Sequence, residues 1–393
     1  MTAPEAVPPP TAPAGRGEAA LLVGLPGIGP HRLVALLDEW SPGEAWARAT
    51  SGDPTRLITA TGRSLAVNRE GVVDNALIQA WHQAGRGRDP VAALARHETS
   101  GMEVLLREDP RYPEVLLADV EPPAVLFSLG DLRCLDGPRV AIVGTRRCTG
   151  TGAGMARELG HDLTVAGVSV VSGLALGIDG AAHRGSLDAI TSGEGTAPPI
   201  GVVGSGLDVV YPARHRDLWA AVVAHGVLLS EAAAGLRPTP WRFPARNRII
   251  AALADVVVVV ESHAAGGSLL TVEEALRRDV PVMAVPGSVR SASAAGTNQL
   301  LADGSHPVRD VTDVLVALGL TPAGRRPRAD RRPAPDGIGA VVLEAFDWEP
   351  ASLEHLAVRT ALPLGELALA VEHLVATGWV SVQGGWYERV ARS

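Results

Sequence analysis

Six short apolar runs, at residues 140–143, 168–171, 200–203, 227–229, 256–260 and 282–285, alternate with stretches of helical pattern at 154–165, 178–189, 213–224, 246–254 and 269–277. This alternation constrains the fold more than any other feature of the chain. A strand buried on one face alternates apolar and polar residues, whereas a run such as Val256-Val257-Val258-Val259-Val260 suits a strand covered on both faces. Strands separated by crossover helices give a parallel sheet, and ligands bind such a sheet at the carboxyl ends of its strands. The expected class is therefore α/β, with an extended Rossmann-like parallel sheet over residues 101–320.

The flanks read differently. Residues 1–17, rich in Pro and Ala, are expected to be a disordered tail, and residues 18–100 a helical domain. Within that domain, Leu25-Pro26-Gly27-Ile28-Gly29-Pro30 is similar to the hairpin of a helix-hairpin-helix or SAM-like element. Such a turn either packs two helices or presents backbone N–H groups to a phosphate, and packing is favoured in this acidic setting. Residues 104–129 read as an extended connector with Pro clusters. Residues 321–336 hold five Arg among Pro and Gly breakers and read as a linker, and residues 337–393 read as a small winged helix.

Composition narrows the function classes. No apolar run approaches the roughly 18 residues of a membrane span, and the first residues lack the basic and apolar regions of a signal peptide. Two cysteines, Cys134 and Cys148, cannot build a disulfide framework or a multi-thiolate zinc site. The expectation is a soluble cytoplasmic protein with no metal, no cofactor and no membrane association. A net charge of −8 at first argues against nucleic acid. Residues 1–138 carry 12 Arg and 18 acids, but residues 139–318 carry 15 Arg and 16 acids, so the centre is nearly neutral and local placement decides. Every basic residue is Arg, which suits bidentate phosphate contacts and stacking on bases.

Several expected strand-end loops carry anion-binding chemistry. The first strand leads into Gly144-Thr145-Arg146-Arg147 and a Gly-rich helix start at Gly150-Thr151-Gly152-Ala153-Gly154. Gly admits a phosphate to the backbone, a helix start supplies N–H donors, and Arg supplies charge. The glycine spacing is not that of a dinucleotide site. Ser172-Gly173 opens a second loop, where Asp179 and His183, four apart, are expected to brace the structure. Gly204 begins a third, and Gly266-Gly267-Ser268 another. Between Arg237 and Arg248 lie four Arg and no acid, in a stretch containing Trp241-Arg242-Phe243-Pro244-Ala245-Arg246-Asn247-Arg248. Aromatic residues interleaved with Arg can stack an unpaired base while guanidiniums hold the backbone.

Taken in order, Gly144-Thr145-Arg146, residues 172–183, residues 204–212, Phe243-Pro244-Ala245-Arg246-Asn247-Arg248-Ile249-Ile250, Gly266-Gly267-Ser268-Leu269-Leu270-Thr271, Val285-Pro286-Gly287 and Gly296-Thr297-Asn298-Gln299-Leu300 closely resemble the DNA-processing protein A (DprA/Smf) family. The resemblance covers about residues 103–318. It implies a homodimeric, non-enzymatic protein that protects incoming single-stranded DNA in natural transformation. Such proteins load the RecA recombinase onto the strand, past single-strand binding protein. By this resemblance Gly144, Thr145, Arg146 and Arg147 hold phosphate with Ser172 and Gly173 beside them. Gly204, Arg242, Phe243, Arg246, Asn247, Arg248, Gly266, Gly267 and Ser268 complete the strand-binding set, and no residue is catalytic. Two positions depart from the family's pattern: His215 stands where Asn is usual, and Ala245 where a basic residue is frequent.

Residues 337–393 hold three Arg against seven acids, so a protein contact suits this part better than a duplex groove. The competing reading is an enzyme. Gly266-Gly267-Ser268 followed by Glu273 and Glu274 is similar to the loop of lysine-decarboxylase-like phosphoribohydrolases, which cleave a nucleotide's N-glycosidic bond.

Overall fold

The computed structural model describes residues 15–68, 71–321, 332–346 and 349–390. In chain order the helices are α1 (Arg16–Val23), α2 (Pro30–Glu39), α3 (Pro42–Ala49), α4 (Asn75–Gly85), α5 (Pro90–Thr99), α6 (Glu114–Leu117), α7 (Gly150–Val165), α8 (Ile178–Thr191), α9 (Arg216–His225), α10 (Arg242–Leu253), α11 (Leu269–Leu276), α12 (Ala295–Ala302), α13 (Val311–Ala317), α14 (Gly337–Ala345), α15 (Leu353–Thr360) and α16 (Leu364–Ala376). The strands are β1 (Met102–Leu106), β2 (Val125–Gly130), β3 (Arg139–Val143), β4 (Ser169–Ser172), β5 (Ile200–Val203), β6 (Val227–Ser230), β7 (Val256–Val259), β8 (Val282–Ala284), β9 (His306–Pro307), β10 (Val380–Gln383) and β11 (Trp386–Arg389). The chain divides into two compact units, Met1–Asp136 with Ile200–Leu253, and Gly137–Pro199 with Ala254–Ser393.

In the first unit, β1 and β2 pair antiparallel with Val104 opposite Phe127, β2 pairs antiparallel with β6, and β6 runs parallel to β5. The expected connector at 104–129 thus begins and ends in strands, and the sheet is mixed and not wholly parallel. Pro122 and Pro123 end the connection just before β2, which is how Pro clusters concealed a strand. Helix α1 begins at Arg16, two residues inside the expected tail, because Arg16 forms a salt bridge to buried Asp109. The rest of that tail, residues 1–14, lies outside the described residues. Helix α3 starts with a capping box, Ser41 and Glu44 satisfying each other's backbone N–H groups.

The second unit is parallel throughout its main sheet. β4 pairs with β3, β3 with β7, β7 with β8, and β8 with β9. All four Val residues of β7 are buried, as the unbroken apolar run requires, each stabilising by about 1.5–3 kcal/mol. Val256 and Val258 pack with Val140, Ile142, Leu159 and Leu163 on one face of the sheet. Residues 337–346 and 349–390 form three helices and an antiparallel hairpin, β10 with β11, around buried Phe346 and Leu374. Most of the expected linker, residues 322–331, lies outside the described residues. Its end is seated, with the Arg332 guanidinium 3.9 Å over the Trp379 ring.

His97 ties α5 to the loop after β6. Its Nε2 accepts from the Ala234 N–H at 3.0 Å, so Nδ1 carries the proton and donates to Ala93 O at 2.7 Å. Burial holds its pKa below the usual value, outweighing the Ala93 hydrogen bond. The folded state therefore favours neutral His97, and the stabilisation is fully present above the unfolded-state pKa of about 6.5. It is lost as pH falls below that value. Thermal unfolding is expected to fall more steeply between pH 6.5 and 5 in the wild type than in His97→Gln, and parallel curves would remove His97 from the account.

Candidate nucleic-acid interface

In the second unit the loops after β3, β4 and β7 leave the carboxyl ends of parallel strands. The loop after β3 is pinned at Thr145, whose N–H donates to Glu261 O at 2.8 Å and whose carbonyl accepts from the Ile178 N–H. Beyond that anchor Arg146 and Arg147 are exposed, and the Arg147 N–H donates to Thr145 Oγ1. Ser172 and Gly173 are buried. The Ser172 hydroxyl donates to Ile142 O at 2.6 Å, and the Gly173 N–H donates to Asp179 Oδ2 at 3.1 Å, so Asp179 braces this loop. Among the last three expected residues, Gly267 is exposed, Gly266 is half-buried, and buried Ser268 donates to Ser262 Oγ at 2.9 Å.

The Gly-rich start of α7 does something other than the expected phosphate cradling. Thr149 caps the helix, its Oγ1 accepting from the Gly152 N–H at 2.9 Å. The buried carboxylate of Glu261 accepts from the Thr149 N–H at 2.9 Å and from Thr149 Oγ1 at 2.5 Å. A Cβ on Gly152 would stand 2.3 Å from Glu261 Cδ, so the glycine serves this approach. The positive end of the helix is neutralised by the chain's own carboxylate. Glu388 of β11 adds a second acid there, accepting from Thr151 Oγ1 at 3.4 Å.

In the first unit the Arg cluster divides. Arg246 is buried and donates to Val202 O at 2.9 Å. Arg248, also buried, donates to Glu121 O and to Glu231 Oε1, each at 2.5 Å. Burial pushes the Glu231 carboxyl above the usual carboxylate range, with Arg248 and Arg242 opposing. Arg242 is half-buried, and burial lowers its guanidinium pKa. Its Cζ lies 4.8 Å over the ring of Trp241. Phe243 and Tyr211 pack with ring centroids 5.6 Å apart. Trp241 and Tyr211 are 48% and 44% exposed, and Asn247 is half-buried, so this face offers rings to solvent. Beside them lies a small open cleft, reached by Gly204, Glu231, Arg242 and Arg246 on one side and by Ile28 and Pro30 on another.

Glu231 was not singled out in the sequence. Its signal was its position directly after the apolar run 227–229, where Ser230-Glu231 places a carboxylate at a strand end. For the enzyme reading, the carboxylate of Glu274 is engaged by Arg277 at 3.2 Å and Arg278 at 2.5 Å on the same helical stretch. Glu273 is exposed.

A mixed α/β chain with a large parallel sheet defines a Rossmann-like protein. The chain belongs to the DNA recombination-mediator protein A family, whose model matches residues 103–319. It is similar to Protein Smf of Synechocystis, 31% identical over 338 residues, covering 77% of this chain and 83% of that protein. The DNA processing protein DprA of Streptococcus pneumoniae is 39% identical over 207 residues, 53% of this chain and 71% of that one. The X-ray structure of DNA processing protein A from Streptococcus pneumoniae superposes with a TM-score of 0.61 at 29% identity, covering 76% of this chain and 97% of the other. Among the described residues no helix is long and apolar enough to cross a membrane.

Proposed function

We propose that the chain binds single-stranded DNA and hands it to the RecA recombinase, acting as a homodimer and without catalysis, in natural transformation or recombination. The observation that carries the proposal is the interleaving of the exposed rings of Tyr211 and Trp241 with Arg242 and half-buried Phe243. Rings open to solvent stack unpaired bases, which a duplex keeps to itself. Family membership supports the recombination setting.

In this reading Gly144, Thr145, Arg146 and Arg147 hold phosphate, with the backbone of Ser172, Gly173, Gly266, Gly267 and Ser268 beside them. Gly204, Arg242, Phe243 and Asn247 meet bases and backbone. Arg246 and Arg248 act indirectly, by holding the strand ends and α10 in place. The N-terminal helices are a helix-hairpin-helix or SAM-like domain, and residues 337–393 a winged helix suited to a protein partner.

The test is fluorescent oligo-dT binding across a salt series, by the wild type and by Arg146→Ala with Arg147→Ala. Salt-sensitive binding that prefers single strands is expected. Losing two phosphate contacts should reduce the salt slope by about 1.4 and the affinity by roughly tenfold at low salt. Binding unchanged by both substitutions would take the phosphate site away from this loop.

A further inference from the structure

The cleft of the first unit contains polar groups that the fold leaves incompletely used. The Nε of Arg242 is buried with no hydrogen-bond partner. Its guanidinium sits over Trp241, and its charge is disfavoured by burial. Buried donors left unmatched in a concave site point to a missing acceptor. Glu231, also at the cleft, gives Oε1 to Arg248, while Oε2 has no hydrogen bond among the described residues. Glu231 is ion-paired with Arg248, whose Nη2 lies 2.5 Å from Oε1. The rest of the lining is largely apolar, including Val23, Ile28, Pro30, Leu33 and Ile249.

The turn between α1 and α2 thereby acquires a role. Its carbonyls are engaged inside the fold, Pro26 O accepting from Trp81 Nε1 at 2.8 Å and Gly27 O from Arg32 at 2.6 Å. Leu25 and Ile28 are buried. Ile28, Gly29 and Pro30 reach the cleft as a wall. An apolar lining with one carboxylate, Glu231, and the guanidinium of Arg242, the neighbouring Arg246 being spent on Val202 O, suits the edge of a planar ring bearing adjacent donors and an acceptor.

We propose that this cleft receives the Watson–Crick edge of a guanine base, Glu231 accepting from N1–H and N2–H and Arg242 donating to O6, with the base supplied by the bound strand. The proposal rests on the single-strand reading above and adds base preference to it. Guanine alone among the four bases sets two neighbouring N–H donors beside a carbonyl acceptor. Thymine offers one N–H between two carbonyls, which a carboxylate repels. Adenine and cytosine pair their amino group with an unprotonated ring nitrogen, which turns a lone pair toward the carboxylate.

The experiment uses the full chain and labelled oligo-dT carrying at its centre a single dG, dT or deoxyinosine, which lacks the N2 amino group. Gly29→Trp fills the cleft: a Cβ at Gly29 meets no heavy atom within 4 Å, and its φ of −102° suits any residue. The wild type should bind the dG strand about tenfold tighter than the dT strand, with inosine between them. In Gly29→Trp the dG-to-dT ratio should fall to one. Equal binding of all three strands by the wild type overturns the guanine site and leaves the single-strand reading standing. No salt-sensitive binding of any strand overturns that underlying reading. A preference for dG that persists in Gly29→Trp places the discrimination outside the cleft and overturns the proposal. Binding of free dGMP by the wild type but not by Gly29→Trp, with no preference among strands, overturns the strand as source and assigns the same edge recognition to a free nucleotide. The inosine comparison needs no variant, so a misfolded Gly29→Trp does not shield the proposal.

Discussion

Arg248→Ala is expected to destabilise the chain by about 3–5 kcal/mol, the usual cost of removing one partner of a buried ion pair. The Arg248 side chain is 8% exposed and makes two short hydrogen bonds, to Glu231 Oε1 and to the Glu121 carbonyl. Truncation leaves both acceptors inside the fold, one of them charged. Burial already pushes the Glu231 carboxyl up, and without Arg248 it rises further. The loss should therefore shrink as pH falls, because Glu231 takes up a proton in the variant before it does so in the wild type. Denaturant unfolding at pH 7.5 and pH 5.5 measures both effects. Replacing the two partners together, Arg248→Met with Glu231→Gln, should recover much of the loss. A cost under about 1 kcal/mol for Arg248→Ala is the result expected of an exposed pair and would contradict the buried one. Weak DNA binding by an Arg248 variant would therefore report on folding as much as on contact.

Gly177→Ala is the second large effect, at roughly 2–5 kcal/mol from backbone strain and overpacking together. Gly177 adopts φ 80° and ψ −129°, a conformation reserved for glycine. An added Cβ would stand 2.3 Å from the Thr145 carbonyl oxygen and 2.9 Å from Arg146 Cα. Backbone cannot yield as a flexible side chain does, so the loop carrying Arg146 and Arg147 must move. Gly167→Ala is the control: its φ is also 80°, but nothing lies within 4 Å of the added carbon. It should cost about 1 kcal/mol or a little more, for conformation alone. Unfolding of the two variants separates strain from clash, and oligo-dT binding shows whether the displaced loop matters to the strand. Equal costs at the two positions would mean that the close approach at Gly177 is absent in solution.

The interior strands were readable because their signal is local. The run at 200–203 coincides with β5, and the run at 256–260 contains β7, since consecutive β-branched residues suit a strand buried on both faces. Strands β1 and β2 were not readable. Their five-residue register joins segments that look like Pro-bounded loops, and the pairing of Val104 with Phe127 exists only once both have found each other. Helix α7 begins at Gly150, four residues earlier than its pattern suggests, because Thr149 and Glu261 cap a stretch of glycines that local propensity disfavours.

The candidate site divides along the same line. Alternating apolar runs and helices, glycines after strands, and arginines without acids from 237 to 248 are all present in the order of residues. They determined the α/β class, the family, and the loops in which the site should lie. The arrangement in space decided which arginines stand at the surface and which turn inward. Arg146 and Arg147 stand exposed, while Arg246 turns inward to a carbonyl 44 residues away and Arg248 to a carboxylate 17 residues away. A periodicity is a property of neighbours along the chain, so sequence carries it directly. The partner of a charged side chain is chosen by desolvation and geometry between distant segments, and those exist only after folding.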